Sequence, residues 1–415
     1  MLQTLKKLAR DTKANVLLVT AIGTSSLVGA AGIGVDTVQW YLWKRQLQQA
    51  VDSGAMAGAL SIYQSADVTA NATNEIGRNF ADTFTVVRIV NPPQIGDFAG
   101  DTGAVEAVVT TQRSLPFSSL FLDQAPIIEA RSVAATIGGG DHCVISLADD
   151  GTGITAQGNA SVNLGCGAAA NSRSSDAITL GGSSYLTSNP ISSVGGISYG
   201  SNNIPSDTSL FPYGIPVTDP LASRNLTAPI SPTGCTANNL NIRPNQTVTL
   251  NPGRYCNGMA LKGRVTMNPG VYIIDRGTFS VNSQARVTGN GVTIILTGTT
   301  SSNVATMSIN GGAELDLSAP TPAQDATWHG ILFYQDQIGS DQETTINGGS
   351  DLIFNGIVYF PNGDVRFNGN AGQHADCLLL VAQRVNFSGT SSLDNNCDSH
   401  IDSVDTSSRI IRVVE

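Results

Sequence analysis

Apolar residues form one long uncharged run near the start of the chain. Residues 14–35 make up 22 positions without a charged side chain, and about 20 apolar residues span a bilayer as a helix. Four cations precede this run: Lys6, Lys7, Arg10 and Lys13. Because basic residues stay on the cytoplasmic side of a membrane, the pattern predicts a basic cytoplasmic tail over 1–13 and a transmembrane helix over 14–35. The bulk of the protein is then periplasmic or at the cell surface.

The helical pattern continues over residues 36–65. Apolar and small residues recur there three or four positions apart, which places them on one face of a helix. The predicted packing positions are Asp36, Leu47, Val51, Gly54, Ala55, Gly58 and Ile62. Small residues let helices approach closely, so this face is suited to packing. Its partner is either a similar helix of another protein or the chain's own globular domain, and the pattern favours neither.

A cleaved signal peptide is the alternative to a retained helix. The small residues at 29–31 are of the kind found at signal cleavage sites. Aromatic residues typical of a membrane boundary, Trp40, Tyr41 and Trp43, follow the apolar run. Because the helical pattern also continues past them without a breaker, we favour the retained helix.

Past the helix, the pattern of apolar residues changes from helical to β. Residues 66–140 predict a small α+β unit, with strands over 83–90, 104–112 and 127–137 and a short helix or turn over 115–122. Three glycines at 138–140 end this unit. We therefore expect a separate domain to begin directly after them.

Residues 141–415 consist of short apolar segments separated by Gly, Asn and Ser. Two weak repeats are visible: residues 251–255 return as 268–272, and residues 309–312 return as 346–349. Short strands with Gly and Asn corners at such periods are typical of a parallel β-helix. The predicted fold class is therefore mainly β: a long N-terminal transmembrane or pilin-like α-helix, a small α+β unit, and a parallel β-helix-like C-terminal domain.

Two features of the C-terminal domain qualify this prediction. Residues 183–247 are richer in Pro and Ser, and we expect an irregular insert there. The spacing of the strands also fits a β-sandwich, which is the alternative architecture.

All the cysteines follow the apolar run: Cys143, Cys166, Cys235, Cys256, Cys377 and Cys397. An even number in an exported region favours disulfides, and the spacings of 23, 21 and 20 residues suggest three local pairs taken in order. The sequence lacks the CxxC and HxxxH spacings typical of zinc sites. We expect no metal and no other cofactor.

Charge excludes one class of partner. The formal net charge is −10, and Lys262 is the only lysine after Lys44. Nucleic acid binding requires clustered cations that neutralise phosphates. We therefore expect no nucleic acid partner.

Residues 10–65 resemble a known protein family. Asp36 is followed at fixed spacing by Tyr41, by Gln-Leu-Gln-Gln-Ala at 46–50 and by Asp52. This block resembles the N-terminal domain of Tad (tight adherence, Flp pilus) pseudopilin-like proteins of the TadG type. The segment 141–182, with its two cysteines and a Gly-Asn-Ala turn, is similar to the region that follows that domain in the same family.

This resemblance implies a structural or assembly component of a Tad-type pilus. Such a protein is a membrane-anchored minor pilin or surface-contact protein that supports tight adherence. The resemblance implies three kinds of partner: pilin-like or pseudopilin helices, the membrane, and a ligand on a surface or host.

A β-helix is also a scaffold for enzymes that cleave polysaccharides. Glycoside hydrolysis needs two carboxyl groups roughly 5–9.5 Å apart, and Asp275 and Asp336 are among the candidates. No pair of aspartates recurs on successive coils, and the four histidines match no catalytic pattern. We therefore predict no enzymatic activity and no catalytic residues. The alternatives are a polysaccharide-acting enzyme and a secreted envelope adhesin unconnected with pili.

Overall fold

The protein is mainly β, with one long apolar helix at its N-terminal end. The computed structural model describes residues 12–229, 234–340, 342–347, 351–369, 372–395 and 404–415. The chain divides into two compact units. The first ends at Ile137 and also takes in Ile411–Glu415, and the second is Gly138–Ile410.

The first unit begins with helix α1, Thr12–Tyr63. Helix α2 (Val68–Asn79) follows, and the Asp67 side chain caps it by accepting a hydrogen bond of 2.9 Å from the Ala70 backbone N–H. The strands of this unit are β1 (Thr85–Val90), β2 (Ala104–Gln112) and the first part of β3 (Ile127–Ser146). Strand β2 pairs antiparallel with both β1 and β3.

The second half of α1 contributes to the core of this unit. Leu47, Val51 and Ala55 are fully buried together with Ile76 of α2 and Val105 of β2. Fully burying an aliphatic side chain contributes about 1.5–3 kcal/mol. The first unit therefore has a hydrophobic core of its own, of which this half of the helix is an integral part.

A buried carboxylate on β2 ties the three strands together. Glu106 Oε1 accepts hydrogen bonds from Arg88 (2.8 Å) and Arg131 (2.6 Å), and Arg131 also donates to Glu415 (2.7 Å). Burial by itself would raise the pKa of Glu106. The two guanidinium groups and the Gln94 backbone N–H outweigh burial and lower that pKa to about 2. The carboxylate is therefore ionised and paired in the native state.

We expect Glu106→Gln to lower the free energy of unfolding of the first unit by about 2 kcal/mol, since hydrogen bonds to charged groups contribute about 1.5–3 kcal/mol. The folded pKa lies below the ordinary value of 4.5. The carboxylate therefore stabilises the fold above pH 4.5, and this contribution disappears as the pH falls toward 2. Urea unfolding at a series of pH values measures both effects. Glu75→Gln removes a more exposed carboxylate paired with Arg78 and serves as the control, with a change below about 0.5 kcal/mol. An unchanged pH dependence in Glu106→Gln would contradict this prediction.

The second unit is built from short strands. After the end of β3 its strands are β4 Ile154–Ala156, β5 Ser161–Leu164, β6 Gly167–Ala170, β7 Ile178–Leu180, β8 Tyr185–Thr187, β9 Ile191–Ser193, β10 Ile197–Ser198, β11 Leu210–Phe211, β12 Ala237–Ile242, β13 Thr247–Leu250, β14 Gly253–Leu261, β15 Arg264–Met267, β16 Gly270–Asp275, β17 Thr278–Val281, β18 Arg286–Asn290, β19 Val292–Thr297, β20 Thr306–Ile309, β21 Glu314–Ser318, β22 Ile331–Gln335, β23 Gln342–Asn347, β24 Asp351–Asn368, β25 Gly372–Phe387, β26 Ser392–Asn395 and the first part of β27 (Ser407–Val413). Their described pairings are parallel, as between β15 and β18 or β16 and β19. This overturns the β-sandwich alternative, because a sandwich is built from antiparallel sheets.

Equivalent residues of successive strands lie in register. Val265 pairs with Val287, Val287 with Leu315, and Leu315 with Leu352. All four side chains are buried in one continuous core. Since neighbouring strands lie about 4.8 Å apart, each of these side chains packs on its equivalents in the strands on either side.

Polar and aromatic side chains stack in the same way. The side chains of Asn251 and Asn268 share a hydrogen bond of 2.8 Å, and the rings of Tyr255 and Tyr272 stack with centroids 6.0 Å apart. Further stacked or paired residues are Ile309 with Ile346, Asn282 with Asn310, and Phe367 with Phe387. Asn251 and Asn268 of the first repeat, and Ile309 and Ile346 of the second, therefore occupy equivalent places in neighbouring strands. Tyr272 is in register with Gly253 instead of Tyr255.

The order of the strands in the sheet differs from their order in the chain. Strand β25 pairs with β24 and also with β3 and β4, and β26 pairs with β5. Strands from residues 142–211 thus extend the sheet beyond 372–395, although they come first in the sequence. Among the described strands, β11 pairs with β9 alone and β12 with β14 alone. The chain between β11 and β12 therefore returns from one end of the sheet to the other.

Residues 212–229, which we call the strap, make this return along the outer face of the sheet. Neighbouring residues such as Val144 and Ile145 belong to different hydrophobic clusters. Val144 belongs to the large continuous core of the sheet, and Ile145 belongs to a second cluster that includes Val217 of the strap. Side-chain hydrogen bonds help to anchor the strap, including those from Asn171 to the Val217 carbonyl (2.8 Å), from Tyr359 to Asp219 (2.7 Å) and from Tyr334 to the Leu226 carbonyl (2.9 Å). The strap thereby buries side chains that would otherwise face water.

The structure differs here from the predicted irregular insert over 183–247. Strands β8 to β11 and β12 lie within those limits and pair in register with their neighbours. Strands of two or three residues are too short to show an alternating pattern, so they are hidden in a Pro- and Ser-rich sequence. Within the described part of this range, the longest stretch without a strand is the strap.

Candidate functional site

The first half of α1 exposes its apolar side chains. The exposed large residues are Val16, Val19, Ile22, Leu27, Val28, Ile33, Val35, Val38, Tyr41 and Leu42. In the described part of the chain, α1 is the one helix that is long and apolar enough to cross a membrane. Retained anchors and N-terminal signal sequences both meet that criterion. A membrane anchor or a signal sequence accounts for this half of the helix.

Several hydroxyl groups of this half donate hydrogen bonds to backbone carbonyls of the same helix. Thr20 donates to the Val16 carbonyl (2.8 Å), and Ser26 donates to the Ile22 carbonyl (2.8 Å). Unpaired polar groups are strongly disfavoured in hydrocarbon. These hydroxyl groups are therefore compatible with a lipid environment.

The second half of α1 contains the predicted packing stripe. Leu47, Val51 and Ala55 are fully buried, and Ile62 is half-buried against the same core. The stripe is covered by α2 and by the sheet of its own unit. Of the two predicted partners for this face, the structure provides the chain's own globular unit.

The two predicted glycines permit this contact. A Cβ at Gly54 would lie 2.4 Å from Ile76 Cγ1 and 3.0 Å from the Ala72 carbonyl oxygen. A Cβ at Gly58 would lie 3.0 Å from a methyl group of Val105. Both glycines are therefore sites where the backbone of α1 comes close to its neighbours.

Asp36, also a predicted packing residue, binds a loop rather than another helix. Its Oδ1 accepts a hydrogen bond from the Phe117 backbone N–H (3.2 Å). Its Oδ2 accepts bonds from both the backbone N–H and the hydroxyl of Ser118 (2.5 Å each). Asp36 is buried by these contacts and holds the 3₁₀ turn Ser118–Leu120 against α1.

This loop is the feature that the sequence reasoning missed. The prediction places only a short helix or turn over 115–122. The available signal is the run of three apolar residues at 120–122, which a turn on the surface of a soluble domain would rarely carry. Its attachment to Asp36 across 82 positions of the chain leaves no local pattern to detect.

Disulfides join two pairs of cysteines in the second unit. Cys143 is bonded to Cys166, and Cys235 is bonded to Cys256. These are the first two of the three local pairs that the spacing suggests. Cys377 is also disulfide-bonded, and Cys397 lies outside the described residues. Stable disulfides belong to oxidising compartments, which indicates that the bulk of the chain lies outside the cytoplasm.

Replacing Cys143 and Cys166 together by Ala is expected to lower the free energy of unfolding of the second unit by about 3 kcal/mol. A disulfide that closes a loop of this size lowers the conformational entropy of the unfolded chain, and this stabilises the folded state by about that amount. Denaturant unfolding under non-reducing conditions measures the change. The paired Ala variant of Cys235 and Cys256, which closes a loop of similar length, should show a similar loss. A double variant as stable as the wild type would contradict the prediction.

The polar residues considered for catalysis have structural partners. Asp275 is buried between Arg254 (2.8 Å) and Arg276 (3.2 Å), and Asp336 accepts a hydrogen bond from Thr297 (2.6 Å). In the described residues, no three or more His, Cys, Asp or Glu side chains form a group that could hold a metal ion.

His142 lines a cavity of about 240 Å³ in the second unit. Its two ring nitrogens lie 3.1 Å from the Thr406 carbonyl oxygen and 3.1 Å from the Ser192 hydroxyl. Burial lowers the pKa of His142. Both ring nitrogens therefore have hydrogen-bond partners within the second unit.

Residues 219–402 are similar to a protein family described as a domain of unknown function (DUF7305). The match covers less than half of the 415 residues. It begins in the strap and extends over strands β12 to β26. No curated protein and no solved structure matches the chain.

Proposed function

We propose that this protein is a membrane-anchored structural component of a Tad-type pilus, in which it acts as a minor pilin or a surface-contact protein. The first half of α1 holds it in the cytoplasmic membrane with the N-terminus inside. The two folded units then lie in the periplasm or at the cell surface. The role is structural and not enzymatic.

One observation carries the proposal. A single helix, α1, exposes apolar side chains over its first half and buries its second half in the core of a folded unit. A rigid connection of this kind transmits the position of a membrane helix directly to the domain outside. The disulfides of the second unit fit an oxidising exterior.

We also propose that the parallel sheet of the second unit winds as a β-helix. Pairing between strands about 20 to 40 residues apart, buried rows of equivalent residues and side-chain ladders all support this architecture. A stack of this kind gives a rod with a repetitive lateral surface. Such a surface suits a stalk or a contact with a substratum.

The assignment to a Tad-type system rests on the resemblance of the block at 36–52 to TadG-type proteins. In this assignment the partners are pilin-like or pseudopilin helices. Because the packing stripe of α1 is covered by its own unit, such helices would meet the exposed half of α1. A ligand on a host or other surface would meet the second unit.

Deletion of the gene in the source organism tests the proposal. We expect loss of piliation and of surface attachment, both restored by the wild-type gene on a plasmid. Normal filaments and normal attachment in the deletion strain would contradict the pilus assignment. Purified second unit incubated with a polysaccharide panel, with and without calcium, tests the structural role, and release of oligosaccharides would contradict it.

A further inference from the structure

The loop 116–122 of the first unit exposes large apolar side chains. Leu120 is 73% exposed, Phe121 is 85% exposed and Leu122 is 52% exposed. Residues 114–122 contain no charged side chain. Adjacent exposed residues of this size form an apolar patch, and such patches mark contact with a protein or a membrane.

The loop is held beside α1 at two points. Asp36 accepts three hydrogen bonds from Phe117 and Ser118. The Phe117 ring lies against Gly32, where a Cβ would come within 2.4 Å of Phe117 Cδ1. The loop is therefore fixed to the helix at the outer end of the predicted span.

The loop extends along the part of α1 that is predicted to lie in lipid. A groove of about 890 Å³ separates the two, and it is lined by helix residues from Thr20 to Ile33 together with Phe117, Leu120 and Phe121. An α-helix rises 1.5 Å per residue, so Thr20 lies about 24 Å along the helix axis from Asp36. The loop side chains thus border the same groove as the exposed apolar half of the helix.

We propose that loop 116–122 inserts into the outer leaflet of the bilayer as a second membrane contact, with lipid acyl chains filling the groove beside α1. This inference rests on the proposed anchoring of α1. Continuity with the exposed apolar half of the helix identifies the occupant as lipid. The absence of charge over 114–122 fits hydrocarbon, and Asp123 marks the return of the chain to water.

Two contacts with the membrane would fix the orientation of the first unit, which a single helix does not. A lone span leaves the attached domain free to rotate about the helix axis and to tilt. The loop lies on one side of α1, so its insertion fixes which side of the first unit faces the membrane. The exposed surfaces are then presented in one orientation.

The test places nitroxide labels in the full-length protein in vesicles of phosphatidylcholine and phosphatidylglycerol. A ketone amino acid introduced at one position carries the label and leaves the cysteines untouched. Position 121 reports on the loop, position 27 on the exposed helix and position 185, an exposed tyrosine of the second unit, on water. Collision rates with oxygen, which concentrates in lipid, and with a water-soluble nickel complex are measured at each position.

We expect position 121 to match position 27, with oxygen collisions favoured, and position 185 to show the reverse. A water-like signal at 121 with a lipid-like signal at 27 would overturn the loop insertion and leave the anchor intact. A water-like signal at both would contradict the anchor itself. Protection of 121 from both reagents would mean that protein covers the loop, and the assignment to lipid would be wrong.

A pair of glycine variants tests whether the contact between the Phe117 ring and Gly32 holds the loop in place. Gly32→Leu fills the space of the Phe117 ring, whereas Gly34→Leu enters open space because nothing lies within 4 Å of that position. We expect the label at 121 to become water-like in Gly32→Leu only, with the label at 27 unchanged in both. A lipid-like label at 121 in Gly32→Leu would contradict the role of Gly32.

Discussion

Leu27→Arg is expected to release most of the protein from the membrane. Leu27 is 73% exposed in the middle of the uncharged run, and the run is only weakly apolar because it contains Asn, Ser, Thr and Gly. Exchanging Leu for Arg near the centre of a span disfavours insertion by about 3 kcal/mol, which is roughly a 100-fold change in the equilibrium. Membrane flotation of cell extracts measures the bound fraction.

The matched control for this variant is Met56→Arg. Met56 lies on the same helix and is 42% exposed, but it belongs to the half that packs on the first unit. The added charge there faces water, so the bound fraction should equal that of the wild type. Full retention of Leu27→Arg in the membrane fraction would contradict insertion of this half, and equal release of both variants would point to unfolding.

Gly54→Ala is expected to destabilise the first unit by about 1–3 kcal/mol, the usual range for overpacking a well-packed core. The added methyl group would meet Ile76 Cγ1 at 2.4 Å and the Ala72 backbone oxygen at 3.0 Å. The Ala72 carbonyl oxygen can move away from the added methyl group only if α1 and α2 separate. Thermal or urea unfolding monitored in the first unit measures the loss.

Gly77→Ala is the same substitution at a position with room for it. Gly77 lies in α2, and its nearest neighbour, the Phe84 ring, would be 3.9 Å from the new Cβ. Ala is favoured over Gly in a helix by about 1 kcal/mol, so this variant should be as stable as the wild type or more so. If Gly54→Ala also gains stability, the close contact between α1 and α2 is not what holds this half of the helix.

The helix and the β class could be predicted because both leave a local pattern. The uncharged run and the stripe that follows it fix α1, and the spacing of the cysteines matches the two pairs seen at Cys143–Cys166 and Cys235–Cys256. Rows such as Val265, Val287 and Leu315 appear in the sequence as short apolar segments at similar intervals. These features depend on residues close together in the chain.

The order of the strands could not be predicted in this way. Each short strand presents a similar apolar face, so the sequence gives their spacing but not which strand lies beside which. Leu393 pairs with Val162, where the strands of residues 142–211 join those of residues 237–395. These two groups of strands are connected along the chain through the strap, so their pairing leaves no local pattern. Likewise the hydrogen bonds from Ser118 to Asp36 join residues 82 positions apart, and no periodicity of either segment reveals them.

Fractionation of cells combined with a thiol-labelling gel shift tests the central claim most directly. If α1 anchors an exported protein, the full-length chain sediments with membranes and resists extraction at alkaline pH. It also gains no label mass before reduction, because the predicted cysteine pairs are oxidised. Recovery of the intact chain in the soluble cytosolic fraction, with its cysteines labelled without reduction, would contradict that claim.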